Sequence, residues 1–228
     1  MTIGERVYQI QKLITTTAER YGRGADTVKL LAVSKGQSSD AIKQAFEAGI
    51  SDFGENYLQE AQTKIHTLSN LAIHWHFIGP IQSNKTRHIA QNFHWVHSVD
   101  REEIAVMLAK YRHEQQPSLN ICLQINLDEE TSKSGMSPAQ AEQFALFVSQ
   151  LPSLKLRGLM TIPRPQGNAQ RQYESFLRLT RLLSELNKKL NLSMDTLSMG
   201  MSDDFEAAIR AGSTIVRIGR AIFGERKG

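Results

Sequence analysis

A chain of 228 residues, 40% hydrophobic and 22% charged, has material for one large domain whose core needs no staple. Its 27 basic and 23 acidic residues leave a net charge of +4 and a pI near 9.2, without any block of like charge, so a basic nucleic-acid-binding tail is not indicated. A single cysteine rules out an internal disulfide and favours a reducing compartment, and no stretch approaches the roughly 18 apolar residues of a membrane span.

The N-terminal segment has no apolar signal core. Its apolar residues Val7, Ile10, Leu13, Ile14 and Ala18 recur at helical spacing, predicting a helix from Ile3 to Tyr21 that Gly22 ends. An alternation follows. Short apolar runs, "KLLAVS", "DFGEN", "WHFIG", "WVHSV", "NICLQINL", "KLRGLM", "DTLSMG" and "TIVRIG", read as strands. Between them lie amphipathic stretches at Ser39 to Ala48, Tyr57 to Leu68, Lys85 to Asn92, Arg101 to His113, Pro138 to Leu151, Ala169 to Leu190 and Asp203 to Ala211. The Lys85 to Asn92 stretch carries the weakest helical pattern. Strands separated by helices pair in parallel, and eight such units in about 200 residues match a (β/α)8 TIM barrel with an extra N-terminal helix. The structural alternative is an open doubly wound sheet; no GxGxxG follows the first strand, which weakens its dinucleotide-binding form. No linker divides the chain, so residues 1–228 read as one barrel domain, with the helix at about 3–21 and the barrel at about 29–224.

Active sites of such barrels lie at the C-terminal ends of the strands. That rule selects Lys35, Glu55-Asn56, Gly79-Pro80, Asp100, Asn126, Met160-Thr161, Ser198 to Ser202 and Arg217 to Arg220. Lys35 ends the run Leu30-Leu31-Ala32-Val33. It either marks where a strand meets water or is an amine whose pKa a low dielectric depresses, a nucleophile. In "LSMGMSDDFEAAI", Gly200 permits close backbone approach and Ser202 is a suitable N-cap, so the helix start can bind an anion. Gly219, at the end of the last strand, offers a second close approach. Asp203 and Asp204 oppose a phosphate there unless they face away. The plainer reading of both loops is two ordinary βα turns. A reactive lysine opposite a phosphate cradle suits either a Schiff-base aldolase or a pyridoxal 5′-phosphate (PLP) protein.

The motifs "LLAVSKGQSSDAI", "FGENYLQEAQTKI", "WHFIGPIQSNK", "KSGM", "LRGLMTIP", "LSMGMSDDFEAAI" and "GSTIVRIGRAIFG", in order from about Lys29 to Gly224, resemble the pyridoxal phosphate homeostasis protein family (YggS/PROSC), related to the N-terminal domain of alanine racemase. The resemblance implies that barrel fold, PLP as cofactor, and a part in PLP homeostasis; the lone cysteine and the lack of an apolar signal core make a cytoplasmic protein the expectation. It implies that Lys35 holds PLP as a Schiff base and that Asn56 lies near the cofactor. Met201 and Ser202 match a phosphate-binding turn, and Gly219 and Arg220 the loop that shares the phosphate. Arg217 matches an arginine facing the pyridine nitrogen. Many members carry threonine and a second lysine after the first; here Gly36-Gln37 stand instead, and Lys133 in "TSKSGM" is a candidate for the handover role of that lysine.

A guanidinium stays protonated. Arg217 so placed leaves the ring nitrogen unprotonated and the ring a poorer electron sink, which disfavours carbanion chemistry. Alanine racemases add a C-terminal β domain supplying a catalytic tyrosine, whereas this chain stops at "AIFGERKG". A PLP carrier without turnover, passing its ligand to PLP-dependent apo-enzymes, is therefore expected, probed against an amino-acid racemase-like PLP enzyme and a nucleic-acid-binding barrel. Without that second domain a monomer is expected. His74-Trp75-His76 and His94 to His97 lack a joining carboxylate or cysteine at a usual metal spacing and read as packed or hydrogen-bonded histidines. Trp75 and Trp95 read as packing, Cys122 as a buried inert thiol, and Ser83 to His88 as a solvated helix start. The stripe along the Ala169 to Leu190 helix reads as its face against the barrel.

Overall fold

The computed structural model describes residues 1–129 and 134–224. Its strands are β1 (Lys29–Val33), β2 (Asp52–Glu55), β3 (His74–Phe77), β4 (Trp95–Val99), β5 (Leu119–Gln124), β6 (Leu154–Met160), β7 (Thr196–Ser198) and β8 (Ile215–Ile218). They pair in parallel, in chain order, and close into a barrel. Closure rests on β8 against β1, with Leu31 opposite Arg217 and Ala32 opposite Ile218. An open doubly wound sheet has no such pair.

The helices among the described residues are α1 (Ile3–Arg20), α2 (Ser39–Glu47), α3 (Leu58–Thr67), α4 (Thr86–Asn92), α5 (Glu102–Tyr111), α6 (Ala141–Ser149), α7 (Ala169–Leu190), α8 (Phe205–Arg210) and α9 (Arg220–Phe223). Local chemistry sets their ends. Thr2 and Glu5 form a reciprocal capping box at the start of α1. The Ser38 hydroxyl accepts the Ala41 N–H at α2, and the Asn168 side chain accepts the Arg171 N–H at α7. Asn191 ends α7 in the left-handed region. The α1 helix packs on α2, α8 and α9, covering the outside of the seam where β8 meets β1. Phe176, Leu179 and Leu186 bury the apolar stripe of α7.

Three helix starts differ from the sequence expectation. Ser83–Lys85 and Pro138–Gln140 are single 3-10 turns that precede α4 and α6. Ser202 does not cap α8; the helix begins at Phe205, with Asp204 at its N-cap position. The Asp204 carboxylate accepts the Met201 N–H at 2.6 Å, so it closes the preceding turn instead of capping the helix. The four-residue α9 directly follows β8, where the sequence suggested only a strand end.

The main core lies between strands and helices, among residues such as Ile42, Phe53, Ile89, Ile104, Leu108 and Phe176, all fully buried. The barrel interior is different. Alternate strand residues point inward, and they include the buried polar side chains Asp52, His76, His97, Ser198 and Arg217. Trp95, Cys122 and Met160 form a small apolar cluster of their own. The His76 and Trp95 rings stack at 5.5 Å, and the Arg157 guanidinium lies 4.7 Å from the Trp95 ring centre. Both tryptophans are packed, and His76 and His97 are buried and hydrogen-bonded to one another, as the sequence suggested.

Candidate functional site

One cavity of about 400 Å³ opens at the C-terminal end of the barrel. Lys35, Asn56, Met201, Ser202, Arg217, Gly219 and Arg220, the seven residues that the family resemblance assigns to the cofactor, line it; Gly79, Pro80, Asp100 and Asn126, also selected as strand ends, do not. Ile78 and Ile162 supply apolar wall. Lys35 follows β1 and is half-buried at the rim; Asn56 follows β2. Met201 and Ser202 form the turn between β7 and α8, while Gly219 and Arg220 join β8 to α9. Lys133 lies outside the described residues.

Lys35 is set by what clamps its neighbours. The buried Lys64 ammonium, on α3, donates to the Ser34 carbonyl and to Glu55 Oε1, both at 2.7 Å, and to Glu60 Oε1 at 2.5 Å. Ser34 Oγ donates to Glu55 Oε1 at 2.6 Å, and the Gly36 N–H donates to Glu60 Oε1 at 2.6 Å. The residues before and after Lys35 are thus tied to one ion cluster. Burial pushes the Glu55 carboxyl above its ordinary range, against the pull of Lys64. Sequence reasoning missed this cluster. Glu60 and Lys64 are four apart on a helix, which reads as a surface pair.

Arg217 sits at the floor. Its guanidinium donates to the Ser198 carbonyl at 2.6 Å, to Ser198 Oγ at 2.8 Å and to the Thr161 carbonyl at 2.9 Å. Burial lowers it to about 10, so it remains charged at neutral pH. These bonds use both N–H groups of Nη1 and one of Nη2, which leaves Nε–H and the second Nη2 N–H as donors.

Two loops bring backbone N–H groups to the cavity. Those of Ser202 and Asp203 have no hydrogen-bond partner among the described residues. Just past Gly219, α9 begins, and a helix leaves its first N–H groups unpaired. Gly200 makes the first loop possible: its φ is +95°, and a Cβ there would lie 2.6 Å from that of Ala208. Asp203 and Asp204, which oppose an anion, are both engaged. Asp203 pairs with Arg220 at 2.9 Å, and Asp204 holds the Met201 N–H. Asn56 Oδ1 is buried without a partner among the described residues. Its backbone is pressed by Gly79, where a Cβ would lie 2.2 Å from the Asn56 carbonyl oxygen.

This arrangement fits an anionic ring ligand with an electrophilic carbonyl. It offers an amine at the rim, free N–H donors opposite, a cation at the floor, apolar walls and an unsatisfied buried amide oxygen. Among the described residues no group of three or more His, Cys, Asp or Glu could hold a metal ion.

A (β/α)8 barrel with a rim lysine and two glycine-bearing loops facing it across the mouth defines a class, and the family model described as alanine racemase, N-terminal domain, matches residues 11–227. The chain belongs to that family and, within it, to the pyridoxal phosphate homeostasis proteins. A protein of that name from Pseudomonas aeruginosa is 53% identical over 225 residues, covering 99% of this chain and 96% of the relative. One from Escherichia coli is 46% identical over 227 residues, covering 98% and 97%. The solved structure of PipY from Synechococcus elongatus, with PLP bound, superposes with a TM-score of 0.86 at 33% identity, covering 98% of this chain and all of that one.

Proposed function

We propose that this chain, acting as one domain, binds PLP in the mouth of the barrel and takes part in PLP homeostasis without catalytic turnover. The observation that carries the reading is the convergence of Lys35, both anion loops and Arg217 on one cavity. Lys35 Nζ supplies the amine for a Schiff base with the ligand aldehyde, with loss of water. Bound PLP supplies an electrophilic carbonyl and a conjugated ring. The Ser202, Asp203 and Arg220 backbone N–H groups receive the phosphate, with Met201 and Gly219 shaping the loops. Asn56 contacts the ring side, and Ile78 and Ile162 give it apolar wall. Arg217 donates to the ring nitrogen. A guanidinium yields no proton to a pyridine, so the ring stays a weak electron sink. That supports holding and release over amino-acid chemistry.

In this reading the recipients are PLP-dependent apo-enzymes, and neither nucleic acid nor a membrane is a partner. No helix among the described residues is long and apolar enough to cross a membrane. We place the protein in the cytoplasm as a monomer. The alternative is an amino-acid racemase-like PLP enzyme. Racemase and transaminase assays on the PLP-loaded protein separate the two. The carrier reading expects no activity above background, whereas turnover near 1 s⁻¹, the low end of ordinary enzymes, contradicts it. A visible absorption band lost in Lys35→Ala tests the attachment.

A further inference from the structure

Beneath the cavity, a line of buried side chains crosses the barrel. Its lower end is Asp52 on β2. Three donors surround that carboxyl: Ser51 Oγ at 2.7 Å, Lys29 Nζ at 3.0 Å and His76 Nε2 at 2.9 Å. Burial would raise Asp52, but these bonds, the His76 one foremost, outweigh it and hold the group well below the usual carboxylate range. Asp52 is therefore an acceptor only, and His76 carries its proton on Nε2.

The remaining directions follow. Burial lowers His76 to about 4, so it is neutral at pH 7 and its Nδ1 is an acceptor. His76 Nδ1 lies 2.9 Å from His97 Nε2, which must donate. His97 is buried and also held well below its ordinary value, hence neutral, so its Nδ1 accepts. Ser198 Oγ lies 2.7 Å from that Nδ1 and donates to it. The upper end accommodates the same sense. A guanidinium only donates, so Ser198 Oγ accepts from Arg217 and still has its O–H to give to the neutral His97 Nδ1. Traced upward from the Asp52 carboxylate, the bonds run in one direction: Arg217 to Ser198, to His97, to His76, to Asp52.

Charge explains why such a chain is useful. The direct partners of the Arg217 guanidinium are two carbonyls and one hydroxyl, none of them a carboxylate. Asp204 is the carboxylate whose charge pulls on it, and its oxygen accepts the Met201 N–H. The aligned O–H and N–H dipoles turn their negative ends toward Arg217 and their positive ends toward Asp52, so each neutral link stabilises both buried charges.

We propose that Asp52, His76, His97 and Ser198 are positioning residues for Arg217, a one-way hydrogen-bond chain that orients the Ser198 hydroxyl as an acceptor and so holds the guanidinium on the cavity floor. The inference deepens the PLP reading, since it assigns these residues a part in presenting Arg217 to the ligand ring. The chain itself exists with or without ligand.

The first test therefore uses the ligand-free protein. Long-range ¹H–¹⁵N NMR at pH 7 is expected to find His76 and His97 both neutral and both protonated on Nε2. Asp52→Asn puts a side chain there that can donate as well as accept. With that variant His97, two links away, is expected to shift toward the Nδ1–H tautomer. A wild-type imidazolium or Nδ1–H form at either histidine overturns the proposal, as does a His97 signal unmoved by Asp52→Asn. The second test titrates PLP itself. Ser198→Ala removes one hydrogen bond to a charged group and is expected to weaken PLP binding about tenfold. Ser198→Thr keeps the hydroxyl and is expected to stay within about threefold of wild type. Equal affinity for wild type and Ser198→Ala overturns the positioning role. Failure of the PLP reading shows separately, as absence of a Lys35-dependent band with the NMR result intact.

Discussion

Replacing Lys64 with methionine removes the ammonium that ties the turn around Lys35. Its side chain is 6% exposed, and that of its partner Glu55 is fully buried. Methionine keeps most of the volume, so the cost is electrostatic. Deleting one member of a buried ion pair strands the other and costs about 3–5 kcal/mol. In a protein of this length each kcal/mol moves the melting midpoint by about 2–4 °C, which gives a fall of about 6–20 °C. Glu55, already raised by burial, loses the charge that pulls it down and takes up a proton nearer neutrality. Adding Glu55→Gln removes the stranded charge and is expected to restore at least about half of the loss. Urea unfolding at pH 7 and a thermal scan on the three proteins measure this. A loss below about 1 kcal/mol, the value of a surface pair, would refute the idea that the cluster is a structural clamp. The Ser34 carbonyl loses its anchor in the same variant, and Glu60, which holds the Gly36 N–H, loses the cation that fixes it, so PLP uptake is expected to fall with it.

Three more outcomes are expected. His76 is neutral in the fold with a pKa of about 4, against about 6.5 when unfolded, so below pH 6.5 the unfolded chain binds more protons and stability falls as pH drops toward 4. His76 alone accounts for about 3 kcal/mol of that loss, and His97 adds in the same direction; urea midpoints at pH 7.5, 6 and 5 check it, and a flat profile contradicts it. Gly200→Ala forces a side chain into a left-handed turn against Ala208, at a cost of about 1–3 kcal/mol, and is expected to weaken PLP binding more than a comparably destabilising change outside the cavity; equal affinity contradicts the phosphate assignment. Burial pushes the Cys122 thiol up to about 12, so the native protein is expected to resist a thiol reagent at pH 8 and to react once unfolded in urea.

The barrel was legible because short apolar runs and period-3.6 stretches alternate along the chain, and β1 to β8 fall where the runs do. Lys35 stood out because an ammonium seldom ends an apolar run without reason. The Gly200 to Ser202 turn was legible from glycine and small polar residues before a helix, and the matching motifs named Arg217 and Arg220. What was hidden depends on three-dimensional neighbours. Nothing in the spacing of Glu60 and Lys64 says that their helix face turns inward onto Glu55. His76 and His97 are on adjacent strands and 21 residues apart, so their 2.9 Å contact exists only once β3 and β4 are in register. Ser202 lost the N-cap because Asp204, two residues on, turned back to the Met201 N–H, a contest between neighbouring polar side chains that propensity does not decide. The four residues of α9 are too few to display a helical period.

The attachment site is where the account is most exposed. Incubating the protein with PLP, reducing with borohydride and sequencing the modified peptide by mass spectrometry reads it directly. One reduced pyridoxyl group on Lys35, absent from Lys35→Ala, is the predicted result. A protein that takes up no label, or carries it on another lysine while Lys35 stays unmodified, contradicts the account.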